Sequence, residues 1–306
     1  MQASGPSLAA AILMVALPSA ASAAKKHTGP VITAEEKDEF KIFENCPKAG
    51  ALACVWSQTS SGEFVIGSKM VPISKPLLLQ GGVAGKYMFL PVPLIAELPP
   101  GETMQKVPEE DPGGLTGIEG LGGPVTATAE IAGPVSSVMV NSWGLATQSV
   151  PAVTLPLKVH LSNEFLGEEC YIGSEAEPIV LQLTTGTTKP PEGVEPIRGS
   201  HEIPSETNAG MAYVKKVVLV DNTFSVPGAT GCGNALDSAV VDQLVDSEVG
   251  LPSAAGKNTV IMNGEVKLAR VSKIEEILHP PPTPQEIKQK AKEQKKKERE
   301  EKRKNK

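Results

Sequence analysis

Four histidines, four cysteines and two runs of carboxylates are the side chains of this 306-residue chain best suited to chemistry. Their spacing narrows what each can do. His27, His160, His201 and His279 are far apart, and His160 falls on the polar side of an alternating segment, where a histidine is ordinarily solvated. No G-x-S-x-G, H-E-x-x-H, P-loop or G-x-G-x-x-G motif occurs, so no residue is assigned to catalysis and none to a cofactor. Glu109-Glu110-Asp111 and Glu168-Glu169 carry the acid/base groups that glycan cleavage uses. Sugar sites join such carboxylates to stacking rings, however, and aromatics are only 4% of this chain, so these pairs read as solvated loop charges.

One metal reading is specific enough to state. If a leader is cleaved after Ala24, the chain begins Lys25-Lys26-His27, and its free amine, two amide nitrogens and imidazole form a square-planar site for Cu(II) or Ni(II). Cleavage after Ala23 removes that geometry, and the plain reading of the segment is a disordered basic start. No other metal site is assigned.

The cysteines form neither a C-x-x-C pair nor a Cys/His cluster at zinc-ligand spacing. An even count in an exported chain points instead to disulfides. Three connectivities are possible, and Cys46 with Cys54 and Cys170 with Cys232 is preferred. The first pair brackets Pro47 and Gly50, which let the chain turn back within a short loop. Chain entropy gives upper-end stabilisations of about 2.6 kcal/mol for the short loop and about 4.3 kcal/mol for the long one.

Export is read from the first residues. Leu8 to Leu17 is an uncharged apolar run, followed by Pro18 and the small residues Ala21-Ser22-Ala23-Ala24. That is a signal-peptide core with an A-x-A cleavage site, and it is shorter than the ~20 residues a membrane span needs.

The elements that must position these groups are mainly strands. The chain holds 29 glycines and 27 prolines, punctuation that favours short strands joined by turns. Val125, Ala127, Ala129 and Ile131 alternate with Thr126, Thr128 and Glu130; Leu155, Leu157, Val159 and Leu161 alternate with Lys158, His160 and Ser162. Further strands are expected at Ile179–Thr184 and Val214–Val220. Two hairpins are expected. One joins Ala53–Ser57 to Glu63–Gly67 through Thr59-Ser60-Ser61-Gly62, and the other joins Asn258–Met262 to Glu265–Leu268 through Asn263-Gly264. Val71–Leu79 reads as strand ending at Gln80-Gly81-Gly82, and Pro91–Gly123 as a long irregular loop with one strand at its start. One body helix is expected, with Asn234 as N-cap and Leu236, Ala239, Val240, Leu244 and Val245 on its apolar face.

The fold class is therefore mainly β, an antiparallel β-sandwich or two related halves of one. The boundaries are a signal peptide over 1–23, a flexible segment over 24–39, β regions over 40–150 and 151–272, and a Pro spacer with charged tail over 273–306. Glu63 to Ser68 followed by Pro72-Ile73 echoes Glu169 to Ser174 followed by Pro178-Ile179 at a constant offset of 106, which suggests the related halves.

Phe43-Glu44-Asn45-Cys46-Pro47, the Ser61-to-Gly82 block, Cys170-Tyr171-Ile172-Gly173-Ser174 and Leu183-Thr184-Thr185-Gly186-Thr187-Thr188 form a recurring set with Val220-Asp221-Asn222, Gly231-Cys232-Gly233 and Gly250-Leu251-Pro252-Ser253. Over positions 40–268 this set resembles a group of exported actinobacterial proteins. The resemblance implies export and paired cysteines and lends no activity.

Residues 281–306 carry a net charge of +6 against −6 for the whole chain, which leaves −12 on residues 1–280. Four Glu/Lys pairs spaced four apart favour a solvated helix in this tail. Its plain reading is a helical or disordered extension, and its functional reading is electrostatic attachment to anionic cell-envelope polymers. Nucleic acid is set aside as a target an exported protein rarely meets. Interleaved glutamates count against either kind of binding. The expected function is a non-enzymatic, secreted or envelope-associated surface-contact protein. The rival is a secreted hydrolase or carbohydrate-binding module using the Pro91–Gly123 loop.

Overall fold

The structure, a computed structural model, describes residues 33–47, 49–73, 75–84, 92–95, 125–203, 205–207, 210–234, 236–282 and 284–304. The leader, the Lys25-Lys26-His27 motif and the Glu109-Glu110-Asp111 run lie outside them.

The strands in chain order are β1 (Ala51–Ile66), β2 (Lys69–Pro72), β3 (Leu77–Ala84), β4 (Val92–Ile95), β5 (Thr126–Ile131), β6 (Met139–Val140), β7 (Val153–Ser162), β8 (Tyr171–Ile172), β9 (Ile179–Leu183), β10 (Ser205–Glu206), β11 (Met211–Asp221), β12 (Ala229–Thr230) and β13 (Thr259–Arg270). The helices are α1 (Ala34–Phe40), α2 (Ser142–Thr147), α3 (Ser238–Val249), α4 (Val271–Leu278) and α5 (Pro284–Lys304).

Every strand pairing is antiparallel, in two sheets. The first runs β10-β11-β13-β1-β3, with β2 on the end of β1. The second is built on β7, with β5 and β6 along one edge and β8 and β9 along the other. Strand β4 joins them, pairing Ile95 with Gly82 of β3 and Val92 with Val140 of β6. The fold is thus mainly β and antiparallel.

The larger hydrophobic core draws on both sheets. Val55, Val217, Leu219 and Val260 of the first are fully enclosed with Leu157 and Leu181 of the second. The two β regions expected from sequence therefore share one interior, and the longest strand of the earlier region, β1, pairs along its length with β13 of the later.

Neither expected hairpin forms. Strand β1 runs unbroken through Thr59-Ser60-Ser61-Gly62, and β13 runs unbroken through Asn263-Gly264. The two turn signals face each other instead, Thr59 opposite Gly264 and Ser61 opposite Asn263, with one extra residue on β1 between them. The extra residue is needed. Val55, Ser57 and Thr59 point inward at odd positions, whereas Phe64 and Ile66 are core-facing at even ones, and a bulge is how a strand changes parity without changing face. On the other side of β13, β11 changes parity at the same row, from Val214 to Val217, through Lys215 and the left-handed Lys216 (φ 48°). Strand β3 likewise continues through Gln80-Gly81-Gly82 rather than ending there.

A second apolar cluster caps the outer face of the first sheet. Phe40 and Phe43 from α1 and the following 3-10 turn, with Ile274 and Ile277 of α4, cover Cys54, Met211 and Ala269, which pair across β1, β13 and β11. Helix α1 starts on a capping box, the Thr33 hydroxyl accepting from the Glu36 amide while the Glu36 carboxylate accepts from the Thr33 amide. The stretch read as a flexible start therefore ends in a docked helix.

Helix α3 forms where a helix was expected, and of the expected apolar face Val245 is buried and Leu244 packs partly against the core. Val241, Val245 and Val249 are buried, whereas Leu236 and Val240 are exposed, and Asp237 rather than Asn234 occupies the N-cap position. Among the described residues no helix is long and apolar enough to cross a membrane.

The internal echo is local. Gly67 and Gly173 both turn the chain in the left-handed region, yet β1 pairs with β2 after the first turn, while β8 and β9 each pair with β7 across the second.

Candidate functional site

The four cysteines are joined as Cys46–Cys54 and Cys170–Cys232, and all four are buried. Cys54 lies in β1 beneath α4, so the first bridge ties the 3-10 turn to the sheet. The second ties the Glu169-Cys170 segment to the Gly231-Cys232-Gly233 loop. That loop is also held by α3, whose Asp242 carboxylate accepts from the Cys232 amide and whose Asp246 accepts from the Ala229 amide.

Several of the polar motif residues satisfy backbone groups. In Leu183 to Thr188 the Thr184 hydroxyl accepts from the Gly186 amide, the Thr185 hydroxyl donates to the Leu145 carbonyl and the Thr188 hydroxyl bonds both backbone groups of Ile197. Asp221 is fully buried and accepts from the Gln182 amide (2.6 Å) and from the amide and hydroxyl of Thr223 (2.8 and 2.7 Å). These residues hold loops to the sheets, and none is aimed at a cleft.

His160 stands on the outer face of the second sheet. Its ring stacks on Tyr171 at 4.8 Å, its Nδ1 is 3.9 Å from Glu130, and its Nε2 bonds the Glu168 carbonyl. Lys158 lies 4.3 Å from the Tyr171 ring and 3.5 Å from Glu130. Burial and the Glu130 carboxylate hold the Tyr171 phenol above its ordinary value. Glu168 contributes only its carbonyl here, so the Glu168-Glu169 pair and His160 do not build an acid/base site.

The outer face of the first sheet carries a parallel arrangement absent from the sequence reading. Trp56, Lys267 and Tyr213 are cross-strand neighbours, and the Lys267 ammonium lies 5.0 Å from the Trp56 ring and 4.8 Å from the Tyr213 ring. Lys215 approaches the Tyr213 ring at 4.9 Å, and the phenol donates to Glu265. Burial, that hydrogen bond and the charges of Glu265, Glu202 and Glu39 push the Tyr213 phenol up to about 12. The rings are occupied by lysine, which makes this row a stabilising ladder rather than an open stacking platform.

His201 and His279 lie apart from both clusters, His201 bonding the Glu202 carbonyl through Nδ1 and His279 ending α4. Among the described residues no three His, Cys, Asp or Glu side chains are close enough to hold a metal ion. The Pro91–Gly123 loop favoured for a hydrolase or glycan site falls, apart from β4, outside the described residues.

Among the described residues a concave feature lies between the sheets. A cavity of about 80 Å³ opens between β3 of the first sheet and β5 of the second. Leu77, Leu79, Phe64 and Met262 line it from the first sheet, and Leu155, Leu157 and Leu183 from the second. Ala129 and Ile131 of β5 complete the wall. The β1 bulge places Ser57 and Thr59 before it and Phe64 after it on this one surface, supplying two hydroxyls to a lining that contains no ionisable side chain. Sequence reasoning missed the site because its walls come from seven strands; the alternation of β5 and β7 was its one legible signal.

Compared with protein-family models, curated proteins and solved structures, the chain matches none.

Proposed function

We propose that this chain is an exported, non-enzymatic binding protein whose β-sandwich takes the end of an alkyl chain between its sheets. The observation that carries this reading is the lining of the inter-sheet cavity, aliphatic on both sides with two hydroxyls and no acid, base or nucleophile of lowered pKa. Such a surface can hold a group but has no means to transform it. Volume selects the occupant. A cavity of 150 Å³ lined by aliphatic groups holds benzene, so about 80 Å³ suits the slender end of an alkyl chain and not a ring system. Each methylene it buries contributes about 0.8 kcal/mol.

Export is supported by the apolar leader, the two buried disulfides and the motif resemblance to exported proteins. An extracellular binder of alkyl groups would meet them on lipids or lipid-derived molecules.

The test is calorimetric titration of the full chain with straight-chain alkanoates of increasing length. Affinity should rise about fourfold per added carbon, the equivalent of the methylene term, and level off once the cavity is filled. Ala129→Leu, which fills the cavity from β5, should abolish binding without lowering stability. Affinity independent of chain length, or unchanged binding by Ala129→Leu, would refute the reading.

A further inference from the structure

The glutamates that interleave with lysine in the tail sequence do not interleave on the helix. With 3.6 residues per turn, positions 288, 292, 295, 296, 299, 302 and 303 of α5 fall within about 120° of its circumference, and every one is Lys or Arg. Glutamates 286, 293, 298, 300 and 301 all fall outside that arc, as do Lys290 and Lys297, which sit on the opposite side. The basic stripe extends about 22 Å at 1.5 Å per residue, with a cation on average roughly every 4 Å.

The residues from Ile287 to Glu298 are exposed, although residues 1–280 carry −12. Pro280, Pro281 and Pro282 separate the helix from α4 as a stiff spacer, and Pro284 opens the helix. Apolar residues are limited to Ile287 and Ala291, both outside the stripe, so the helix lacks the apolar face with which an amphipathic segment enters a bilayer.

We propose that the basic stripe of α5 docks a linear anionic polymer of the cell envelope, its charges registering against successive cations along one face. Charge complementarity selects a polyanion. The lack of an apolar face disfavours a membrane, and the predominance of Lys, which contacts an anion as a point charge without bidentate geometry, suits a flexible chain over a shaped ligand. This inference does not depend on the alkyl site.

Two double variants of the full chain separate a stripe from mere net charge. Lys288→Gln with Lys295→Gln removes two charges from the stripe; Lys290→Gln with Lys297→Gln removes two from the opposite face at the same seven-residue spacing. Glutamine keeps the helix propensity of lysine. With linear polyphosphate as the probe, the stripe pair should lower affinity on the order of tenfold or more at low salt and flatten the salt dependence by about two contacts. The opposite pair should change affinity less than about twofold. Equal losses from the two pairs, no binding of polyphosphate, or salt-insensitive binding would overturn the proposal. Tighter binding to anionic phospholipid vesicles or duplex DNA than to polyphosphate would overturn the assigned occupant. Self-association of the chain at low salt that is lost with the stripe pair would assign the stripe to a second copy and overturn it likewise.

Discussion

Gly264 of β13 lies opposite Thr59 of β1 and opposite Val217 of β11, the row at which both neighbouring strands carry one extra residue. A Cβ built on Gly264 would overlap the Gln58 carbonyl oxygen, so the paired bulges are possible only because this position has no side chain. Gly264→Ala is expected to destabilise the fold by about 3 kcal/mol, or to prevent folding. Urea unfolding checks this, and a loss below about 0.5 kcal/mol, the range of neutral surface changes, would contradict the role of the row.

The two disulfides close loops of very different length, with sequence separations of 8 and 62. Replacing Cys170 and Cys232 together by Ser should cost more than replacing Cys46 and Cys54 together, by about 1–2 kcal/mol on the chain-entropy account. Because all four sulfurs are paired in disulfides, a thiol reagent should find no free thiol in the native protein. Thermal unfolding and thiol counting are the measurements.

Tyr213 should titrate about two pH units above an ordinary phenol, at about 12 against 10. Below pH 10 the phenol is protonated folded or unfolded, and its contribution to stability is fully present and independent of pH. Between 10 and 12 the unfolded chain loses this proton first, so its contribution is lost as pH rises through about 12. Absorbance at the phenolate band follows the ionisation. Glu265→Gln, which removes a charge while leaving an acceptor, should bring it down.

Asp221 is a carboxylate with no exposure and three donors. Asp221→Ala should cost on the order of 3 kcal/mol, since it strands the Gln182 and Thr223 amides. Asp221→Asn should fall between, because an amide oxygen can keep only part of the set. Equal stability of all three proteins by urea unfolding would show that Asp221 does not fasten β9 to β11.

Where packing obeyed local pattern, the fold was legible. In β7, Leu155, Leu157 and Leu161 are buried as their spacing requires, and in β5 the alternating Ala127 and Ile131 pack partly against the same core. The cysteine pairing was legible too. The hairpin at Asn263-Gly264 was not, because β13 has long partners on both sides and the ladder it makes with β1 and β11 outweighs a two-residue turn preference. Helix α1 carries a readable signal in Thr33 and Glu36, the capping box that starts it. The lysine–aromatic ladder joins Trp56 to Tyr213 and Lys267, both more than 150 residues further along the chain, and the inter-sheet cavity likewise exists only once β3 and β5 are brought face to face.

The alkyl site is tested most directly by methyl-resolved NMR of the full chain with decanoate added. The account predicts saturable shifts concentrated on the methyls of Leu79, Ile131, Leu157 and Met262, with the exposed Ile203 and Leu236 unmoved. Shifts confined to Ile203, Leu236 or other exposed methyls, with the four cavity methyls unchanged, would contradict it.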